Sequence, residues 1–147
     1  MFDENQQPST NYVALPEVSS GGRRYVPIDF MTPEIVVGNK IRIIENSKSL
    51  PLKYEYFQVD ALVFKNVDFN KVYLAHNKSG RKIALEFDSA KYFLLWTKPN
   101  AKYICLEPWC GIQDIENSSY EISEKEGIIK LGTKEVHSFE HTIEIIE

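Results

Sequence analysis

Turn-forming residues punctuate this chain at roughly eight- to twelve-residue intervals, and no apolar stripe of period 3.6 runs for about ten positions. Those two facts together exclude a helical bundle and point to many short strands. The segments 24–30, Val59 to Phe64, Lys71 to Ala75, Arg81 to Phe87, Tyr92 to Thr97, Lys102 to Glu107, Gly127 to Leu131 and Val136 to Ile146 read as strands. Gly38-Asn39, between 34–37 and 40–44, reads as a two-residue hairpin turn. His76 to Gly80 reads as the loop between two strands. The expected fold class is all-β, an antiparallel β-sandwich.

Residues 1–22 are rich in Asn, Gln, Ser, Pro and Gly and poor in large apolar groups, which predicts a flexible polar leader before one domain over 23–147. At 147 residues the chain is long enough to bury roughly 70% of its unfolded surface. Apolar residues make up 43% and charged residues 26%, in short runs, so no membrane span is expected. The N-terminus carries neither a basic segment nor an apolar one, which predicts no secretory signal and a cytoplasmic protein. Net charge is −4 and the densest basic group holds only Arg23 and Arg24, which argues against a nucleic-acid partner. Cys105 and Cys110 stand five apart; a disulfide or half a metal site is open to them, but no second Cys or His pair lies at ligand spacing, and reduced structural thiols are expected. No metal and no organic cofactor is implied.

The chemistry concentrates in Lys102-Tyr-Ile-Cys-Leu-Glu-Pro-Trp-Cys-Gly111. Read with period 2, Tyr103, Cys105 and Glu107 share one strand face, and Ile104 and Leu106 the other. Pro108, which has no N–H, is expected to close the strand and leave Trp109 at its mouth. A carboxylate beside an indole suits a sugar, with the acid accepting hydroxyl hydrogens and the ring covering the C–H face. An edge-strand acid facing water is the competing reading. Trp96, within Phe93-Leu-Leu-Trp-Thr97, reads as core rather than as a platform. His137 and His141 are four apart, about 13 Å along a strand, too far to share a metal by themselves. Lys98 and Lys125 read as solvated lysines, with a sugar phosphate as the alternative.

Asp60-Ala-Leu-Val-Phe64, Trp96-Thr-Lys-Pro-Asn100, Ile104-Cys-Leu-Glu-Pro-Trp109 and Glu124-Lys-Glu-Gly-Ile128 occur in that order, and from about Leu50 onward the chain resembles bacterial proteins of the aldose 1-epimerase (galactose mutarotase) family. Residues 1–49 carry no motif of that family. Family members are about twice as long, so the resemblance implies the C-terminal half of a β-supersandwich, with a complementary N-terminal half or a second copy as partner. It also implies a hexose substrate whose α and β anomers are interconverted by acid/base ring opening. Glu107 matches the family's base and Asp60 its hydroxyl-binding aspartate, with Trp109 as a stacking wall. The family's acid is a histidine from the first half; His76, His137 and His141 do not stand in its sequence setting. The resemblance therefore implies impaired activity for this chain alone, and a non-catalytic carbohydrate-binding module is the alternative.

Overall fold

The computed structural model describes residues 11–14, 28–31, 36–41, 49–58, 60–115 and 117–147, with side chains from residue 49 on. These residues form ten strands: β1 (Asn11–Ala14), β2 (Ile28–Met31), β3 (Val36–Ile41), β4 (Ser49–Pro51), β5 (Leu62–Lys65), β6 (Lys71–His76), β7 (Lys82–Phe87), β8 (Tyr92–Trp96), β9 (Cys105–Trp109) and β10 (His141–Ile146). The rest is loop and two 3-10 turns, at Tyr54–Phe57 and Ile122–Glu124. Among the described residues no helix is long and apolar enough to cross a membrane.

The strands make two five-stranded sheets in the orders β10-β7-β6-β1-β4 and β3-β2-β5-β8-β9. Every pairing is antiparallel. Alternation along the strands explains why the sheets stack. Leu50, Val72, Leu85 and Phe87 of the first sheet meet Leu62, Phe64, Phe93 and Leu95 of the second in one buried core. Phe87 stacks on Phe93 across the gap, with ring centroids 5.6 Å apart and planes 10° apart, and Phe69 meets Phe93 edge-on at 5.8 Å. The all-β sandwich expected from the turn spacing is the observed architecture.

A second apolar cluster lies on the outer face of the second sheet. Ala61, Val63, Tyr92, Leu94 and Ile112 form it, with Trp96 and Trp109 packed against it. Strand β8 is consequently apolar on both faces, which is why its sequence reads as a continuous hydrophobic run rather than as an alternation.

Four local expectations differ from the structure. Gly38-Asn39 is not a hairpin turn: both residues lie within β3, where pairing with β2 steps from Asp29↔Lys40 to Phe30↔Val37. Two residues of β3 are thus accommodated opposite one step of β2, a bulge, which recruits the same permissive residue types as a tight turn. Pro108 does not end its strand. Strand β9 runs from Cys105 through Trp109, and as the outer strand of its sheet it tolerates a residue without an amide hydrogen. Gly127 to Leu131 forms no strand, and of Val136 to Ile146 only β10 pairs. Strand β1 lies inside the polar segment 1–22 and is paired on both sides, to β4 and β6; the remainder of that segment, residues 24–27 and 42–44 fall outside the described residues.

Candidate functional site

The candidate site is built on the outer face of β8 and β9. Their register sets Trp96 opposite Cys105, Leu94 opposite Glu107 and Tyr92 opposite Trp109. Directly opposed residues point to one face, so Glu107 stands between Cys105 and Trp109 over the second apolar cluster. The period-2 reading of this strand holds: Ile104 and Leu106 pack into the core between the sheets. The Trp109 indole N–H donates to Glu107 Oε2 at 3.1 Å. One carboxylate oxygen and the indole plane are thereby held in a fixed relation.

Aromatic groups continue along this face. The rings of Trp96 and Tyr103 lie 5.9 Å apart and tilted by 48°, and Tyr103 is 44% exposed. The loop that carries Tyr103 is tied down at two carbonyls. The buried Thr97 hydroxyl donates to Tyr103 O at 2.5 Å, and the Tyr54 hydroxyl donates to Ala101 O at 2.5 Å. Trp96 is therefore half-buried rather than core, with its ring shared between the apolar cluster and Tyr103.

Burial first, and then the charge of Glu107 and its hydrogen bond to the thiol, push Cys105 above the ordinary thiol range. Burial and the neighbouring Asp88 do the same to Cys110, against a smaller opposing effect of Lys91. Both cysteines are free. A thiol held protonated is a poor nucleophile and a poor metal ligand, and the Cys110 thiol donates instead to the Ser89 carbonyl at 3.7 Å.

A half-buried polar clamp fastens the loop after β9 over the same face. The Tyr92 hydroxyl donates to Glu126 Oε1 at 2.6 Å, and Lys65 forms an ion pair with that carboxylate. The hydrogen bond from Lys65, then that from Tyr92, holds Glu126 below the ordinary glutamate range. Lys125 bonds Asp114 Oδ1 at 3.0 Å, so its ammonium is engaged within the loop. Gly127, at φ +77°, is pressed against the backbone of Cys110 and Gly111. Glu126 was not singled out by sequence; the available signal was its place in the Glu124-Lys-Glu-Gly-Ile128 motif.

Asp60 sits just before β5, and its Oδ1 accepts a hydrogen bond from the Ala61 amide at 2.8 Å. From Glu107 it is two strands across and, by the register Val63↔Leu94↔Glu107, three residues along. That places the two Cα atoms roughly 14 Å apart, beyond direct contact. Two of the histidines, His76 and His137, lie away from this pair. His76 Nδ1 accepts the Ser79 amide at 3.1 Å and pairs with the Ser79 hydroxyl at 2.9 Å, closing the β6–β7 turn. The His137 ring meets Phe139 edge-on at 4.4 Å. His141, at the start of β10, lines a cleft of about 410 Å³ with Asp88, Pro108, Trp109 and Phe139. Among the described residues none of the three is hydrogen-bonded to Glu107, and none belongs to a cluster able to hold a metal.

Two solved structures superimpose on nearly the whole chain. A galactose mutarotase-like protein from Lactobacillus casei matches with a TM-score of 0.72 and 17% identity over 92% of this chain and 46% of that one. A galactose mutarotase related enzyme from Lactobacillus acidophilus matches at 0.68 and 19%, over 96% and 45%. The fold is galactose mutarotase-like. The plasmid and chromosomal LacX proteins of Lactococcus lactis are each 32% identical over 89 residues, 60% of this chain, which spans 30% of their length. Residues 1–52 match a different profile, that of the MmeI target recognition domain. That segment nonetheless contains β1 to β4, which complete both sheets of the mutarotase-like sandwich.

Proposed function

We propose that this chain carries part of the sugar-binding face of an aldose 1-epimerase-like protein, with Glu107 as the base that acts on a hexose. The observation that carries the reading is the Glu107–Trp109 pair on the outer face of β9, a carboxylate held by an indole N–H, with Trp96 and Tyr103 on the same side. Ring opening begins when Glu107 takes the C1 hydroxyl proton while an acid protonates the ring oxygen. The bond from C1 to the ring oxygen then breaks, C1 becomes an aldehyde, its rotation exposes the other face, and the reverse steps close the other anomer. Trp109 covers the C–H face of the sugar, and Asp60 binds a hydroxyl at the far end of the face. The family's acid is a histidine from the first half, and the three histidines here do not stand in its sequence setting, so turnover by the chain alone is expected to be weak.

Polarimetry of freshly dissolved α-galactose and α-glucose, with the chain and with Glu107→Gln, tests the assignment. Any acceleration by the chain is expected to fall about 10²–10⁴-fold in the variant; equal acceleration by both proteins would remove Glu107 from the chemistry. A second reading, a carbohydrate-binding module without turnover, is favoured because the histidines of this chain do not stand in the sequence setting of the family's acid. Saturable tryptophan quenching by the same sugars, with no acceleration, is its signature.

A further inference from the structure

Trp109 is the last residue of β9, the outer strand of its sheet, so among the described residues strand pairing holds it from one side only. On the face that it shares with Glu107, the register sets Lys65 of β5, Tyr92 of β8 and Trp109 in one row across three strands. Neighbours in such a row stand about 5 Å apart. Tyr92 is buried, and Trp109 packs against the cluster that contains it. The chain leaves this row at Cys110 and returns to it at Glu126, and the returning end closes on the departing one. The Ile112 amide donates to Glu126 O at 3.4 Å, and Gly127 approaches so closely that a Cβ on it would lie 2.6 Å from Cys110 O. The Glu126 carboxylate fastens this neck to the row by accepting the Tyr92 hydroxyl at 2.6 Å and pairing with Lys65. The Lys125–Asp114 ion pair, at 3.0 Å, braces the loop just behind it. One side chain thus ties down both the backbone that follows Trp109 and the ring beside it.

We propose that Glu126 is a positioning residue for Trp109, holding the indole in the orientation from which its N–H reaches Glu107. With Tyr92 and the neck fixed, the indole leaves its 3.1 Å contact with Glu107 Oε2 only by giving up packing on one side. With the clamp broken, the neck lifts from Tyr92 and the indole gains rotamers, so the carboxylate loses its donor for part of the time. The inference rests on the sugar-binding reading for its ligand readout alone, since the indole is followed without a sugar.

The chain has two tryptophans, so Trp96→Phe leaves Trp109 as the sole indole fluorophore. In that background, acrylamide quenching well below the melting temperature is compared before and after adding Glu126→Gln, Lys65→Met or Gly80→Ala. Gly80→Ala is the destabilised control, because it strains a β6–β7 turn in the other sheet. Quenching should rise in the first two variants and stay unchanged in the third. With Trp96 retained, Glu126→Gln should weaken galactose or glucose binding about two- to tenfold by calorimetric titration, and Gly80→Ala should leave it unchanged. Quenching that is unaltered in both clamp variants, or that rises equally in Gly80→Ala, overturns the proposal and leaves the clamp a role in stability alone. Raised quenching with unchanged sugar affinity overturns the link from Trp109 to the site. A chain that binds neither sugar in any form removes the sugar-binding reading, while the quenching still decides whether Glu126 positions the indole.

Discussion

Two contacts at single residues carry consequences that solution measurements can read. Trp109 gives Glu107 an N–H and, in the proposed sugar-binding role, gives the sugar a ring face, and these roles separate in Trp109→Phe, which keeps a ring and loses the donor. Loss of one hydrogen bond to a charged acceptor is expected to weaken hexose binding by about tenfold, and Trp109→Ala by more, both read by titration of the remaining tryptophan fluorescence. Glu126 has a pH signature of its own. Its carboxyl is held below the ordinary range in the folded chain by Lys65 and Tyr92, so its contribution to stability is fully present above the unfolded glutamate range, about pH 4.3, and is lost as the pH falls through the lower folded value. Melting temperature should therefore drop on acidification, and Glu126→Gln should be less stable at neutral pH and show a flatter profile below pH of about 4.3. Glu107 was legible at this scale because a lone acid in an apolar strand is conspicuous. Glu126 was not, because its partners Lys65 and Tyr92 are distant in sequence and meet only through the loop that covers them.

At the level of elements, two glycines with nearly the same φ make a comparison. Gly80 at φ +76° has open space where a Cβ would stand, whereas a Cβ on Gly127 at φ +77° would lie 2.6 Å from Cys110 O and 2.6 Å from Gly111 Cα. Gly80→Ala should cost about 1–2 kcal/mol, the left-handed backbone alone. Gly127→Ala should cost clearly more, because the clash is with backbone and the loop over Tyr92 must lift. Urea unfolding of both variants checks the difference, and equal losses would mean that the loop yields freely. Strand boundaries follow the same division between local and distant causes. The run Tyr92 to Trp96 was recognisable as a strand from its composition, but the extension of β9 through Pro108 depends on its being the outer strand. The pair Gly38-Asn39 carries one local signal that serves either a turn or a bulge, and only its partner β2 decides which.

For the whole molecule, the sandwich depends on a few rings that span both sheets. Phe93 touches Phe64 in its own sheet, Phe87 in the other and Phe69 between them, and is fully buried. Phe93→Ala is expected to destabilise the chain by about 3–5 kcal/mol, measured by chemical denaturation, with both sheets lost in one transition. The sequence by itself determined the all-β class, from the turn spacing and the lack of a 3.6-residue stripe, the inward and outward faces of β9, from its repeat of two, and the nearness of Glu107 to an aromatic ring, from their separation of two positions. Tertiary structure alone decided which strands lie outermost, which loop covers Tyr92 and how far Asp60 stands from Glu107. The physical reason is range: side-chain alternation is set by neighbours one or two residues away, whereas edges, coverage and distances between strands depend on residues brought together from across the chain.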